Sequence, residues 1–138
     1  MRSKFYLWVW LIGAISLVYT VAFMALLIGS HLNWTAVVYL GACLAWTTMP
    51  YLILGSWAYT SRNNPAASYV LLTTTFLISV AGYYLYWQVF GGQPPGKFAG
   101  LAFVFFPFYQ LGPTIVGVVI ALAVARWGNA GYTKIVQK

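Results

Sequence analysis

The chain has 138 residues, 62% of them hydrophobic and 20% aromatic, and only 5% are charged, with seven Lys and Arg and no Asp or Glu. An ordinary soluble domain carries roughly 25% charged residues, and without them no water-facing surface can be assembled, so the composition excludes a soluble globule and predicts a chain solvated by lipid. The missing carboxylates also exclude carboxylate acid–base catalysis, side-chain calcium sites and proton transfer on a membrane-embedded Glu or Asp.

Arg2 and Lys4 precede a first apolar run over residues 5–29. Secretory signal peptides begin in the same way, but their apolar core is roughly 7–15 residues long, whereas this run has the length of a membrane span. It predicts an uncleaved first helix. The break Ser30-His31-Leu32-Asn33-Trp34-Thr35 leads to a second run over 36–60, which holds Cys43, Thr47, Thr48 and Pro50. One cysteine makes no internal disulfide and no metal cluster, and inside an apolar run it reads as core filling. His31 is the single histidine; a haem or metal site needs further ligands, so a solvated loop residue is expected. Asn33-Trp34-Thr35 matches the glycosylation triplet, in a loop too short and too close to the membrane to use it.

The break Ser61-Arg62-Asn63-Asn64-Pro65-Ala66 is followed by a third run over 68–90, and Gly91-Gly92-Gln93-Pro94-Pro95-Gly96-Lys97 by a fourth over 98–126, leaving a short tail over 127–138. Both breaks consist of turn-forming and capping residues. In the third run Thr75 and Ser79 stand four residues apart and share one helix face, which is expected to meet Gln110 of the fourth.

The fourth run contains Phe105-Phe106-Pro107-Phe108-Tyr109-Gln110-Leu111-Gly112-Pro113. Neither proline can donate to the carbonyl four residues earlier, which frees Phe103 and Tyr109 and predicts a kink at Pro107 and Pro113. The Gln110 amide between them can donate to a freed carbonyl or to a neighbouring helix. Pro107, Gln110, Gly112 and Pro113, with Thr75 and Ser79, form the candidate helix-contact or gating group. Broken, partly unwound helices build midplane sites in transporters, while a proline kink in a tightly packed bundle also arises from fit alone. Gly117, Ala121 and Ala125 recur every four residues as a candidate packing stripe, and Gly41 with Ala45 makes a shorter one; both are expected to pack inside this chain's own bundle.

The stretch Phe103-Val104-Phe105-Phe106-Pro107-Phe108-Tyr109-Gln110-Leu111, with the glycine-bearing apolar helix after it, resembles a segment of small uncharacterised bacterial four-helix inner-membrane proteins. The resemblance covers one span of the four. It implies the architecture and a bacterial inner membrane, and assigns neither activity nor site.

The expected fold is all-α: one polytopic membrane domain over 1–138, with four transmembrane helices in an antiparallel bundle. Helices are required because lipid leaves backbone groups no outside partner, and the alternation of a barrel strand is absent. Arg2, Lys4, Arg62, Arg126, Lys134 and Lys138 would share one side and Lys97 the other, which places both termini in the cytoplasm. Tyr6, Trp8, Trp57, Tyr59, Tyr69 and Trp127 are expected at the cytoplasmic interface, and Trp34, Tyr83, Tyr84, Tyr86 and Trp87 at the opposite one. The cations form no basic stripe, so nucleic acid is not an expected partner. The expected partners are the lipid bilayer and another membrane protein, and a homo-oligomer is compatible with the small-residue stripes. No catalytic group, metal or cofactor is expected, with a pigment or quinone as the alternative explanation of the aromatic content. The function these features favour is non-catalytic: an accessory subunit of a membrane complex, or an immunity-type blocker of a membrane partner. The alternative is a small channel or carrier for a neutral or anionic solute.

Overall fold

The computed structural model describes residues 4–28, 33–90 and 101–136, so Arg2, His31, Lys97 and Lys138 fall outside it. It contains four helices: α1 (Phe5–Ile28), α2 (Trp34–Thr60), α3 (Pro65–Phe90) and α4 (Ala102–Val136). Each is long and apolar enough to cross a membrane, over Phe5–Ala25, Val37–Thr60, Pro65–Val89 and Ala102–Trp127. The all-helical polytopic architecture follows directly from the four apolar runs.

What identifies lipid as the solvent is where the few polar side chains go. Ser16, Thr20, Thr47, Ser68, Thr75, Ser79, Gln110 and Thr114 are buried, while Val18, Phe76, Leu77, Ile115 and Val119 are exposed. A water-soluble bundle is built the other way round. None of the four helices carries an amphipathic stripe, because both their inner and outer surfaces meet apolar matter.

The α2–α3 turn is fixed by local chemistry. Ser61 N–H donates to the Trp57 carbonyl at 2.8 Å and Asn64 N–H to the Ser61 carbonyl at 2.8 Å. Asn64 then caps α3, its Oδ1 accepting from Ala67 N–H at 3.1 Å, with Pro65 in the first helical position where no donor is needed. This cap starts α3 at Pro65, three residues before the apolar run itself. Ser68 closes the corner by donating to the Ser61 carbonyl at 3.0 Å, and the Arg62 guanidinium lies 4.2 Å from the centre of the Tyr59 ring.

α1 packs against α2 and α3, α4 packs against the same two helices, and α2 touches α3 across the centre. Residue pairings give the directions. Tyr6 meets Tyr59 and Gly13 meets Tyr51, so α1 and α2 are antiparallel. Gly82 meets Gln110 and Gly117 meets Thr74, so α3 and α4 are antiparallel too. Phe5 meets Tyr69 and Tyr19 meets Tyr83, which makes α1 and α3 parallel neighbours. The bundle is thus two antiparallel hairpins laid side by side. One apolar cluster, including Val9, Leu54, Ala58, Leu71 and Ala121, fills the end near the α2–α3 turn. A second, of Phe23, Met24, Cys43, Tyr86 and Phe103, fills the other.

The two small-residue stripes have different destinations. Gly117 and Ala121 are buried and Ala125 is partly so; this stripe lies against α3, where the Thr74 side chain occupies the space a Cβ on Gly117 would need. Gly41 and Ala45 instead point away from the bundle, and a Cβ on Gly41 would meet nothing within 4 Å. The sequence expectation of an internal contact therefore holds for α4 and fails for α2, whose inward face is taken by Cys43, Thr47 and Leu54. Thr74 is held in place by its hydroxyl bond to the Val70 carbonyl, 2.9 Å long. Gly117→Ala should accordingly lower unfolding free energy by about 1–3 kcal/mol through overpacking, while Gly41→Ala should leave it unchanged or raise it by up to about 1 kcal/mol. Reversible unfolding in mixed micelles measures both.

Candidate functional site

Midway along the bundle, polar side chains from all four helices converge. In hydrocarbon a hydroxyl must find a partner, and the nearest is the carbonyl one turn back on its own helix. Ser79 donates to the Thr75 carbonyl at 2.8 Å, Thr75 to the Leu71 carbonyl at 2.8 Å, and Thr114 to the Gln110 carbonyl at 2.8 Å. Ser16 also lies 2.8 Å from the Ile12 carbonyl, but its hydroxyl stands 2.7 Å from Ser79 Oγ, forming a direct tie between α1 and α3. With the Ser79 proton committed to Thr75, Ser79 accepts and Ser16 donates across this tie. The Tyr19 hydroxyl crosses the same interface and donates to the Ser79 carbonyl at 3.0 Å.

Gly82 explains how Gln110 enters this group. Lacking a side chain, it lets the Gln110 amide nitrogen lie directly over the α3 backbone, and the Tyr19 hydroxyl oxygen is 3.2 Å from where a Cβ on Gly82 would stand. Tyr51 of α2 completes the cluster. Its Cβ and ring carbons face Gly13 of α1, and its hydroxyl lies near that of Tyr19. The Tyr51 side chain is 6% exposed, and its hydroxyl oxygen is buried with no hydrogen-bond partner.

The α4 prolines act more modestly than a broken helix. α4 stays helical through both Pro107 and Pro113. Three residues before Pro107, the Val104 carbonyl receives the Trp46 indole N–H from α2 at 3.0 Å, and the Trp46 and Phe108 rings lie 4.9 Å apart. Of the residues singled out in the sequence, Pro107, Gln110, Thr75 and Ser79 are buried, and Ser79 and Gln110 meet at Tyr19 and Gly82. Gly112 and Pro113 face outward from the bundle.

Beyond the polar group, Tyr19, Phe23, Tyr83 and Tyr86 form a continuous set of ring contacts that extends to Phe103 and Phe106 of α4. Tyr86 is 2% exposed and stacks on Phe103 at 5.0 Å, so it belongs to the core and not to an interfacial belt. Tyr83, Tyr84 and Trp87 on the same helix are exposed. Ser16, Tyr19, Tyr51 and Gly82 were not singled out as site residues in the sequence. Ser16 and Thr20 at four-residue spacing in the first span were the available signal for α1; nothing marked Tyr51.

A groove of about 550 Å³ between α1 and α3 is bordered by Ile12, Ile15, Ser16, Tyr19, Ser79 and Tyr83, and the surface it presents is almost wholly apolar. A second hollow of about 390 Å³, also bordered by Ile12 and Phe76, is lined by Trp8 and Tyr69. Among the described residues no three His, Cys, Asp or Glu side chains gather as a metal site. Compared with known protein families, curated proteins and solved structures, the chain has no match.

Ser79→Ala should cost about 0.6 kcal/mol and not more than ~1.7, the range of single side-chain hydrogen bonds between membrane helices, because Ser16 keeps the Ile12 carbonyl. In that background the further cost of Ser16→Ala should shrink. A double-mutant unfolding cycle measures the coupling.

Proposed function

We propose that the protein is a non-catalytic membrane subunit that acts by helix packing, either as an accessory component of a larger membrane complex or as an immunity-type blocker of a membrane partner. The observation that supports this most is the outer face of α2, where Gly41, Ala42 and Ala45 are all exposed and Gly41 has open space in front of it. Small residues let a second helix approach until the backbones are in van der Waals contact, which is how helices associate in lipid. The Gly117 stripe of α4 shows the same chemistry already used against α3.

In this reading the chain lies in a bacterial inner membrane with both termini in the cytoplasm. The support is that Lys4, Arg62 and Arg126 come to one end of the bundle: Phe5 touches Tyr69, Tyr6 touches Tyr59, and Ala125 packs on the cluster that holds Ala58 and Ala67. Positive residues beside spans favour the cytoplasmic side. A fluorescent protein fused after Lys138 should fluoresce and a periplasm-dependent phosphatase fused there should stay inactive; the reverse pattern would overturn the orientation.

Gentle detergent extraction of the native protein should co-purify a defined membrane companion, identified by mass spectrometry. Gly41→Leu with Ala45→Leu should reduce that recovery at least tenfold without lowering the thermal midpoint of the isolated chain. A native protein that always migrates alone would end this reading.

A further inference from the structure

The cations of this chain have no anionic side chain to pair with. The sequence holds seven Lys and Arg and no Asp or Glu, so a salt bridge between side chains is impossible anywhere in it. Lys4, Arg62 and Arg126 nevertheless come to one end of the bundle, and among the described residues the opposite end carries no charged side chain. Like charges gathered at one interface repel, and the anions that relieve them have to come from outside the protein.

Two of the three cations flank the first turn of α1. The Arg62 guanidinium lies 4.2 Å from the centre of the Tyr59 ring, and one of its N–H groups reaches the Tyr59 carbonyl at 3.5 Å. Most of its five donors are left for a partner outside the chain. Tyr59 packs edge-on against Tyr6 at 6.0 Å, which brings α1 beside Arg62. Lys4 belongs to the same first turn, its carbonyl accepting the Leu7 N–H at 3.0 Å, and Phe5 next to it meets Tyr69 of α3 at 6.1 Å. Arg126 stands apart from this pair, on α4, which packs against α2 and α3.

An apolar seam starts at the same point. Lys4, Trp8 and Ile12 are spaced four residues apart and share one side of α1. Trp8 and Tyr69 border the first hollow, and Ile12 and Phe76 border both hollows, so the two lie end to end between α1 and α3. From Trp8 to Tyr19 the seam runs about 16 Å at a helix rise of ~1.5 Å per residue. That is close to half of a ~30 Å hydrocarbon core, the depth of one leaflet. The seam alone would accept any apolar chain. Beginning at unpaired cations, it selects a molecule that joins a negative head to a chain one leaflet long. A guanidinium also matches the oxygens of a phosphate with two parallel N–H donors. An acidic protein segment would answer the charge and leave the seam unfilled.

We propose that this end of the α1–α3 seam is a binding site for an anionic phospholipid, its phosphate held by Lys4 and Arg62 beside Tyr69 and one acyl chain lying past Trp8 along Ile12 and Phe76. The site uses neither the small-residue face of α2 nor the assignment of this end to the cytoplasm, so it stands or falls apart from the proposed protein partner.

Phosphatidylglycerol is the probe, against phosphatidylcholine with identical acyl chains. The full chain in mild detergent is equilibrated with both lipids in equal amounts, and retained lipid is counted by native mass spectrometry. The expected result is one phosphatidylglycerol per chain, in at least fivefold excess over phosphatidylcholine. Lys4→Gln with Arg62→Gln should bring the two lipids to parity, while Arg62→Lys, which keeps the charge, should retain part of the preference. Arg126→Gln removes the same unit of charge away from the seam and should leave the preference intact. An equal fall in Arg126→Gln and in Lys4→Gln would reveal diffuse attraction to the whole cationic end and overturn the site, as would parity of the two lipids on the native chain. Glycerol phosphate, the headgroup without acyl chains, should not compete at lipid concentrations; if it does, the seam plays no part. Displacement of the lipid by a soluble hexaglutamate peptide at equal concentration would assign the cations to an acidic protein segment instead.

Discussion

Every polar group in this protein that lies within the bilayer has to be satisfied from inside, because hydrocarbon offers no hydrogen bonds. The hydroxyls meet that requirement mostly within their own helix: Thr20 donates to Ser16, Thr48 to Leu44, Thr73 to Tyr69 and Thr75 to Leu71, each to the carbonyl four residues back. This arrangement hides the oxygen against the helix and leaves only its methyl or methylene for packing. A segment as rich in hydroxyls as Thr73-Thr74-Thr75 can then behave as an apolar surface, with Thr73 even facing outward.

The exceptions to that local solution are what join the helices. Ser16 reaches Ser79, Tyr19 reaches the backbone of Ser79, and the Trp46 indole reaches the backbone of Val104. Each bond crosses between helices that are far apart in sequence. Gly82 in turn admits the Gln110 amide over the α3 backbone. The parallel contact of α1 with α3 depends on two of these three bonds, with apolar packing at either end.

The architecture was legible in the sequence because lipid solvation imposes a simple rule on length and hydrophobicity, and four runs obeyed it. The centre of the bundle was only partly legible. Gln110 and Ser79 stood out as rare polar residues in apolar runs, but which faces they shared depended on the side-by-side placement of the hairpins, and no local pattern encodes that. Aromatic residues were harder still. Tyr51, Tyr83 and Tyr86 have the same composition signal, yet one is a buried polar orphan, one faces lipid and one is core. The Gly41 stripe was misassigned for a related reason: spacing identifies a smooth helix face, while the neighbour it meets is a tertiary property. α4 runs continuously through Pro107 and Pro113, since a helix can carry proline when nearby groups supply partners.

The distribution of charge has an electrical consequence. α1, α2 and α3 contain no Lys, Arg, Asp or Glu, and the single cation of the membrane-crossing part of α4, Arg126, stands next to its end at Trp127. A transmembrane voltage does work only on charge that moves through it, about 2.3 kcal/mol per unit charge per 100 mV. Sliding or tilting of α1, α2 and α3 therefore carries no side-chain charge through the field, and only Arg126, at the end of the α4 span, could couple to it.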